Sequence, residues 1–155
     1  MSENNSYIYL YGLFLLKMHL MEKIFEFISQ HKEVSLATVN ESGKPSVRIF
    51  QIMLNDSANK MLYFATSPQK ETYRQLLNNP DIEILAYSGN ISVRISGTVI
   101  FDVPDKICQK IYAKNQVLQR LYQQYTDLVY FKLIIKKADY YNLNPTPPIL
   151  ESFVL

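Results

Sequence analysis

From Met21 onward the apolar residues fall first at helical and then at strand spacing. Ile24, Phe25 and Ile28, with His31 on the same stripe, predict one amphipathic helix. Strand patterns follow in close order at Val34–Val39, Val47–Leu54, Met61–Ala65, Ile82–Tyr87, Ile91–Phe101 and Leu128–Ile135. Their joints are Asn40-Glu41-Ser42-Gly43, Asn55-Asp56-Ser57 and Ser88-Gly89-Asn90, all turn-forming residues. Short joints of this kind connect antiparallel neighbours.

Two strands carry more information than the rest. Ile91, Val93, Ile95, Val99 and Phe101 alternate with Ser92, Arg94, Ser96, Thr98 and Ile100, so one face is core and the other mostly polar. In the strand of Arg48, Val47, Ile49 and Met53 share one face, and Phe50, Ile52 and Leu54 share the other with Arg48. A strand apolar on both faces has its outer face covered by a helix, a ligand or a second subunit.

Helical patterns interrupt the strands at Pro68–Leu77, Pro104–Ala113 and about Val117–Tyr125. In the last two, Ile107, Ile111, Leu118, Leu121, Tyr122 and Tyr125 form stripes that read as packed core. The run Asn144-Pro145-Thr146-Pro147-Pro148 cannot sustain a helix or a central strand, so the tail is expected over the surface or across a partner.

Residues 1–20 stand apart as an extension, leaving 21–155 as a single domain. Ile8–Leu16 is apolar and aromatic, yet short of the ~20 residues that span a bilayer. It lacks the basic flank and cleavage site of a signal peptide. Met18 and Met21 are alternative starts; otherwise the segment covers an apolar surface.

Composition narrows the field. Of 155 residues 48% are hydrophobic and 19% charged, a globular balance. A net charge of +2 gives no reason to expect a nucleic-acid surface. The single cysteine, Cys108, excludes an internal disulfide and fits a reducing, cytoplasmic setting. His19 and His31 have no companions at metal-ligand spacing, so no metal site is expected.

The chemistry concentrates between Lys44 and Pro80. Arg48 sits in a strand, and Thr66-Ser67-Pro68-Gln69-Lys70 opens a helix with two cap-type residues and a proline suited to the first helical position. A helix start attracts anions, and Lys70 adds a cation where the helix dipole gives it no reason to be. An arginine on a covered face needs an anionic partner. Arg48, Thr66, Ser67 and Lys70 therefore have the parts of a phosphate site; an ordinary capped helix with a solvated lysine is the competing reading.

Taken together, Ser35-Leu36-Ala37-Thr38-Val39, Gly43-Lys44-Pro45-Ser46-Val47-Arg48, Leu62-Tyr63-Phe64-Ala65-Thr66-Ser67-Pro68-Gln69-Lys70 with Asn78-Asn79-Pro80, and Val93-Arg94-Ile95-Ser96-Gly97 resemble the pyridoxamine-5′-phosphate-oxidase-like flavoproteins. The compact length is most similar to the general-stress and nitroimidazole-resistance branch. The resemblance implies an α+β fold, mainly β with flanking helices: a six- to seven-stranded antiparallel split barrel. It further implies a homodimer with FMN in clefts at the interface, acting on a small molecule. By position Arg48 and Lys70 would hold the FMN phosphate, with Thr66 and Ser67 adding donors. Ile49, Phe50 and Gln51 would run along the ring, and Arg94 would either reach the cleft or remain a solvated strand charge. Deazaflavin or haem in place of FMN, bound without turnover, is the alternative. The resemblance to pyridoxamine-phosphate oxidases proper would require C-terminal arginine and histidine contacts for the substrate phosphate. Neither residue follows Ala138, so pyridoxamine phosphate is not the expected substrate, and no membrane or nucleic-acid partner is expected.

Overall fold

The computed structural model describes residues 3–155. Helix α1 (Glu3–Gln30) is followed by strands β1 (Glu33–Val39), β2 (Pro45–Gln51), β3 (Leu54–Asp56) and β4 (Met61–Thr66), then helix α2 (Glu71–Asn78). Strands β5 (Asp81–Ser88) and β6 (Ile91–Ile100) precede helices α3 (Asp105–Lys114) and α4 (Gln116–Leu121). A 3₁₀ turn at Tyr125–Asp127 leads to β7 (Val129–Asn142) and β8 (Ile149–Val154).

All pairings are antiparallel in the order β2-β1-β5-β6-β7-β4-β3, with β8 added to β7, and the sheet curls into a half-barrel. The expected architecture is present with eight strands against the six patterns: β8 is added, and the Val47–Leu54 pattern divides into β2 and β3. Asn144–Pro148 does run as a loop, but Ile149–Val154 turns back onto β7 and buries Phe153. The proline run limits only its own residues, not those beyond it.

Three further boundaries differ from the pattern. α1 is one helix that runs through residue 20, not a helix starting at Met21. β7 extends past Ile135 to Asn142 because β6 and β8 flank it on both sides. The Val47–Leu54 strand is broken at Ile52-Met53. Ile52 N donates to Lys32 O at 2.8 Å, on the β1 side. Met53 N donates to Tyr63 O at 2.8 Å, on the β4 side. The chain thus changes partners between consecutive residues, and β2 and β3 end up at opposite ends of the strand order.

The main core joins α1 (Ile24, Phe25, Ile28) to both halves of the sheet through Leu36, Ile84, Ile95 and Leu133. At its centre Phe64 and Phe131 stack at 5.2 Å, with Phe50 and Phe101 inclined against Phe131. A satellite cluster packs α3 and α4 (Cys108, Ile111, Leu118) on Tyr63 and Tyr130. At Gly97, where the β6–β7 register shifts, an added Cβ would lie 2.0 Å from Ile134 O. Glycine there allows the two backbones to approach. Among the described residues no helix is long and apolar enough to cross a membrane.

Candidate functional site

The partner switch at Ile52-Met53 opens the barrel between β2 and β4. As the last strand of the order, β2 leaves one row of backbone N–H and C=O groups unpaired. A cleft of about 310 Å³ lies there, within the ~300–1,000 Å³ range of small-molecule sites. Ile49, Phe50 and Gln51 line it from β2, Thr66 from β4, and Lys70 from the start of α2. Val117, Leu118 and Leu121 form the wall opposite.

That wall was hidden in the sequence. Leu118 and Leu121 share one apolar stripe and read as core. Leu118 is buried, but Leu121 is 60% exposed at the mouth of the cleft. Asn115 fixes α4: its side chain accepts from Leu118 N at 3.1 Å and donates to Met53 Sδ at 3.1 Å. The α4 cap is thereby tied to the residue at which β2 gives way to β3.

Thr66 is the sharpest feature of the cleft. Its residue is 3% exposed, and its Oγ1 has no hydrogen-bond partner in the protein. A buried hydroxyl left unpaired costs about 1–3 kcal/mol, a cost that a ligand atom reaching Thr66 would recover.

The helix start differs from the expected form. Thr66 ends β4, Ser67–Lys70 is a turn closed by Lys70 N donating to Ser67 O at 3.1 Å, and Lys70 is the N-cap of α2. Pro68 therefore serves the turn, where its fixed φ is equally favourable. Ser67 is not a helix cap, and its buried hydroxyl bonds the Gln69 side chain. No side chain caps α2, so its first N–H groups have no side-chain acceptor.

Arg48 does not line the cleft. Its guanidinium donates to Ser46 O at 3.1 Å, Ser46 Oγ at 2.6 Å and Gln75 Oε1 at 2.7 Å, and also to Thr38 Oγ1. Thr38 in turn donates to Gln75 Oε1 at 2.5 Å. Burial lowers the Arg48 pKa from its ordinary value and nearby Glu71 partly offsets this, yet an arginine stays charged. All direct partners of Arg48 are neutral, so the structure replaces the expected anion with a polar cage. Lys70 faces the cleft, and Arg48 clamps α2 to β1 and β2.

Arg94 lies on the outer face of β6. It bonds Asp139 Oδ2 at 2.9 Å and approaches Glu83 at 3.6 Å, which makes it a strand ion-pair member outside the cleft. The bonded carboxylate and Glu83 raise its pKa. Among the described residues no group of three or more His, Cys, Asp or Glu is placed to hold a metal.

Known proteins resemble this chain in sequence and fold. Pyridoxine/pyridoxamine 5′-phosphate oxidase of Psychrobacter cryohalolentis is 30% identical over 87 residues. That match takes in 55% of this chain and 39% of the relative, so the chain spans well under half the length of the curated relatives it matches. Among solved structures, a protein related to general stress protein 26 from Clostridium acetobutylicum superposes with a TM-score of 0.73 at 15% identity, covering 89% of this chain and 96% of that one. A pyridoxamine 5′-phosphate oxidase-related, FMN-binding protein from Nostoc punctiforme gives 0.66 at 15% identity, over 93% and 95%. A haem-binding protein from Mycobacterium smegmatis gives 0.67 at 16% identity, over 86% and 57%. These likenesses establish the fold. The family model described as pyridoxamine 5′-phosphate oxidase matches residues 20–141, and on that match the chain belongs to the pyridoxamine 5′-phosphate oxidase family.

Proposed function

We propose that the cleft binds FMN and that the protein is a flavin-dependent oxidoreductase of a small molecule other than pyridoxamine phosphate. The observation that carries this reading is the buried, unpartnered Thr66 hydroxyl in a cleft that also holds Lys70. A phosphate monoester brings a charge of about −1.5 to −2 and three strong acceptor oxygens. Thr66 donates to it, Lys70 neutralises part of the charge, and the free N–H groups at the start of α2 add donors. Arg48, two residues before Phe50 on the same face of β2, joins by exchanging Gln75 for a phosphate oxygen. Ile49, Phe50 and Gln51 offer the open edge of β2 to the ring, and Val117, Leu118 and Leu121 keep water from it. When bound, the flavin supplies hydride and electron transfer. A reduced nicotinamide is the expected donor, in a cytoplasmic setting.

A second copy completes the site. Ile49 and Leu85 both lie opposite Ser35 across β1, so with Val47 and Tyr87 they form one exposed apolar patch beside the cleft. A homodimer through this patch covers the outer face of β2.

Purified protein is expected to be yellow and to take up FMN in titration. Thr66→Val and Lys70→Ala should each weaken FMN binding roughly tenfold, the loss of one charge-assisted hydrogen bond. Colourless protein that ignores added FMN overturns the reading. The haem-binding neighbour motivates a second reading, a binding module for haem or deazaflavin. The cleft lining holds Met53 and Tyr122, residue types that can ligate haem iron. The absorbance of the co-purified group separates these cases, and a bound flavin that no pyridine nucleotide reduces would make the protein a carrier.

A further inference from the structure

A second cavity lies between α1, the β3–β4 turn and β8, and it shares no lining residue with the cleft. It measures about 470 Å³, again within the ~300–1,000 Å³ range of small-molecule sites. Phe14, Met18, Met21 and Phe25 of α1 and Phe153 of β8 make its walls apolar. Two cations join this lining. Lys17 Nζ lies 5.9 Å and Lys60 Nζ 5.4 Å from the centre of the Phe153 ring. Among the described residues, neither ammonium is within ion-pair distance of a carboxylate. Glu22 is the one acidic side chain of the lining, and it is exposed.

Lys60 also breaks a local rule. Its N–H donates to Ser57 O at 3.3 Å to close the β3–β4 turn. Its φ of 54° is the left-handed conformation that turns of this kind fill with glycine. A lysine is strained there, and its ammonium is brought over Phe153 beside the apolar walls. A residue that contradicts its turn is expected where a site is served, not where a fold is.

We propose that this cavity binds a single-chain carboxylate, with the apolar chain along the α1 wall and the head held by Lys17 and Lys60. Two ammoniums that share one ring repel each other while the ring attracts both, and an anionic head relieves that repulsion. The walls select an apolar chain, and the unpaired cations select a negative head over a neutral or positive one.

The test is calorimetric titration of the full-length protein with decanoate, decanol and decyltrimethylammonium. Decanoate should saturate and bind roughly fivefold more tightly than decanol, the worth of an exposed ion pair, and decyltrimethylammonium should not bind. Lys60→Gly removes the cation and supplies the residue the turn favours. Its thermal midpoint should hold or rise while decanoate affinity falls roughly three- to fivefold. Lys17→Gln, at an exposed position of α1, should weaken decanoate by a similar factor and leave decanol unchanged. Saturating decanoate should leave the FMN titration as it was, because the two sites have no residue in common. Decanoate that does not saturate overturns the proposal. So does decyltrimethylammonium that binds as tightly as decanoate, unchanged decanoate affinity in both lysine variants, or competition between decanoate and FMN.

Discussion

Arg48 on β2 and Gln75 on α2 are joined at 2.7 Å, and Gln75 continues the chain by donating to Glu71 Oε1 at 2.8 Å. A cation in the strand thus reaches the first turn of the helix through one neutral amide. Arg48→Ala leaves Gln75 and Thr38, both buried, short of a donor. We expect a loss of about 1–2 kcal/mol in urea unfolding, with Arg48→Lys recovering only part because it lacks the fork of donors. FMN affinity should fall in the same variants.

Asp139 gives the fold a pH dependence. Burial pushes its carboxyl up, but the Ser152 and Arg94 hydrogen bonds with the Lys137 charge outweigh burial and hold the pKa below its ordinary value. A depressed folded-state pKa stabilises the protein above the unfolded value of ~3.9 and ceases to do so as pH falls through the folded value. Unfolding midpoints should decline below about pH 4, and Asp139→Asn should be less stable at neutral pH with a flatter acid limb.

Gly97→Ala places a methyl group against the Ile134 carbonyl. Backbone cannot swing aside as a side chain can, so β6 and β7 must part locally. A cost of about 3 kcal/mol is expected, read as a lower urea midpoint with an unchanged slope.

Cys108 should be slow to alkylate in the native protein. Burial raises its pKa and Asp105 adds to this, while its thiol lies 3.7 Å from Val103 O. Labelling by iodoacetamide should become fast only on unfolding, because the thiolate is the reactive form. Rapid labelling in native conditions would mean that α3 opens readily.

Local pattern carried most of the strands into view. Ile91 to Phe101 alternates so regularly that only one face could be core, and β6 obeys it. Three features lay beyond reach of such a pattern, each for a tertiary reason. Ile52 and Met53 are both apolar and strand-compatible, so nothing local marks the point at which one bonds toward β1 and the next toward β4. Leu118 and Leu121 sit on one stripe, and only the position of β2 decides that the second borders a cleft. The pattern assigns Arg48 an anionic partner because its neutral acceptor Gln75 is 27 residues away on another element. The Thr66 and Lys70 positions in the cleft were legible, though the cap assigned to Thr66 and Ser67 belongs to Lys70.

The return of Ile149–Val154 onto β7 has a consequence for how the molecule assembles. Lys23 of α1 grips Glu151 of β8 across 128 residues and lies 3.9 Å from the centre of the Tyr140 ring. The two ends of the sequence thus share one seat on the sheet, and contacts of such long sequence separation are the slow ones to close in refolding.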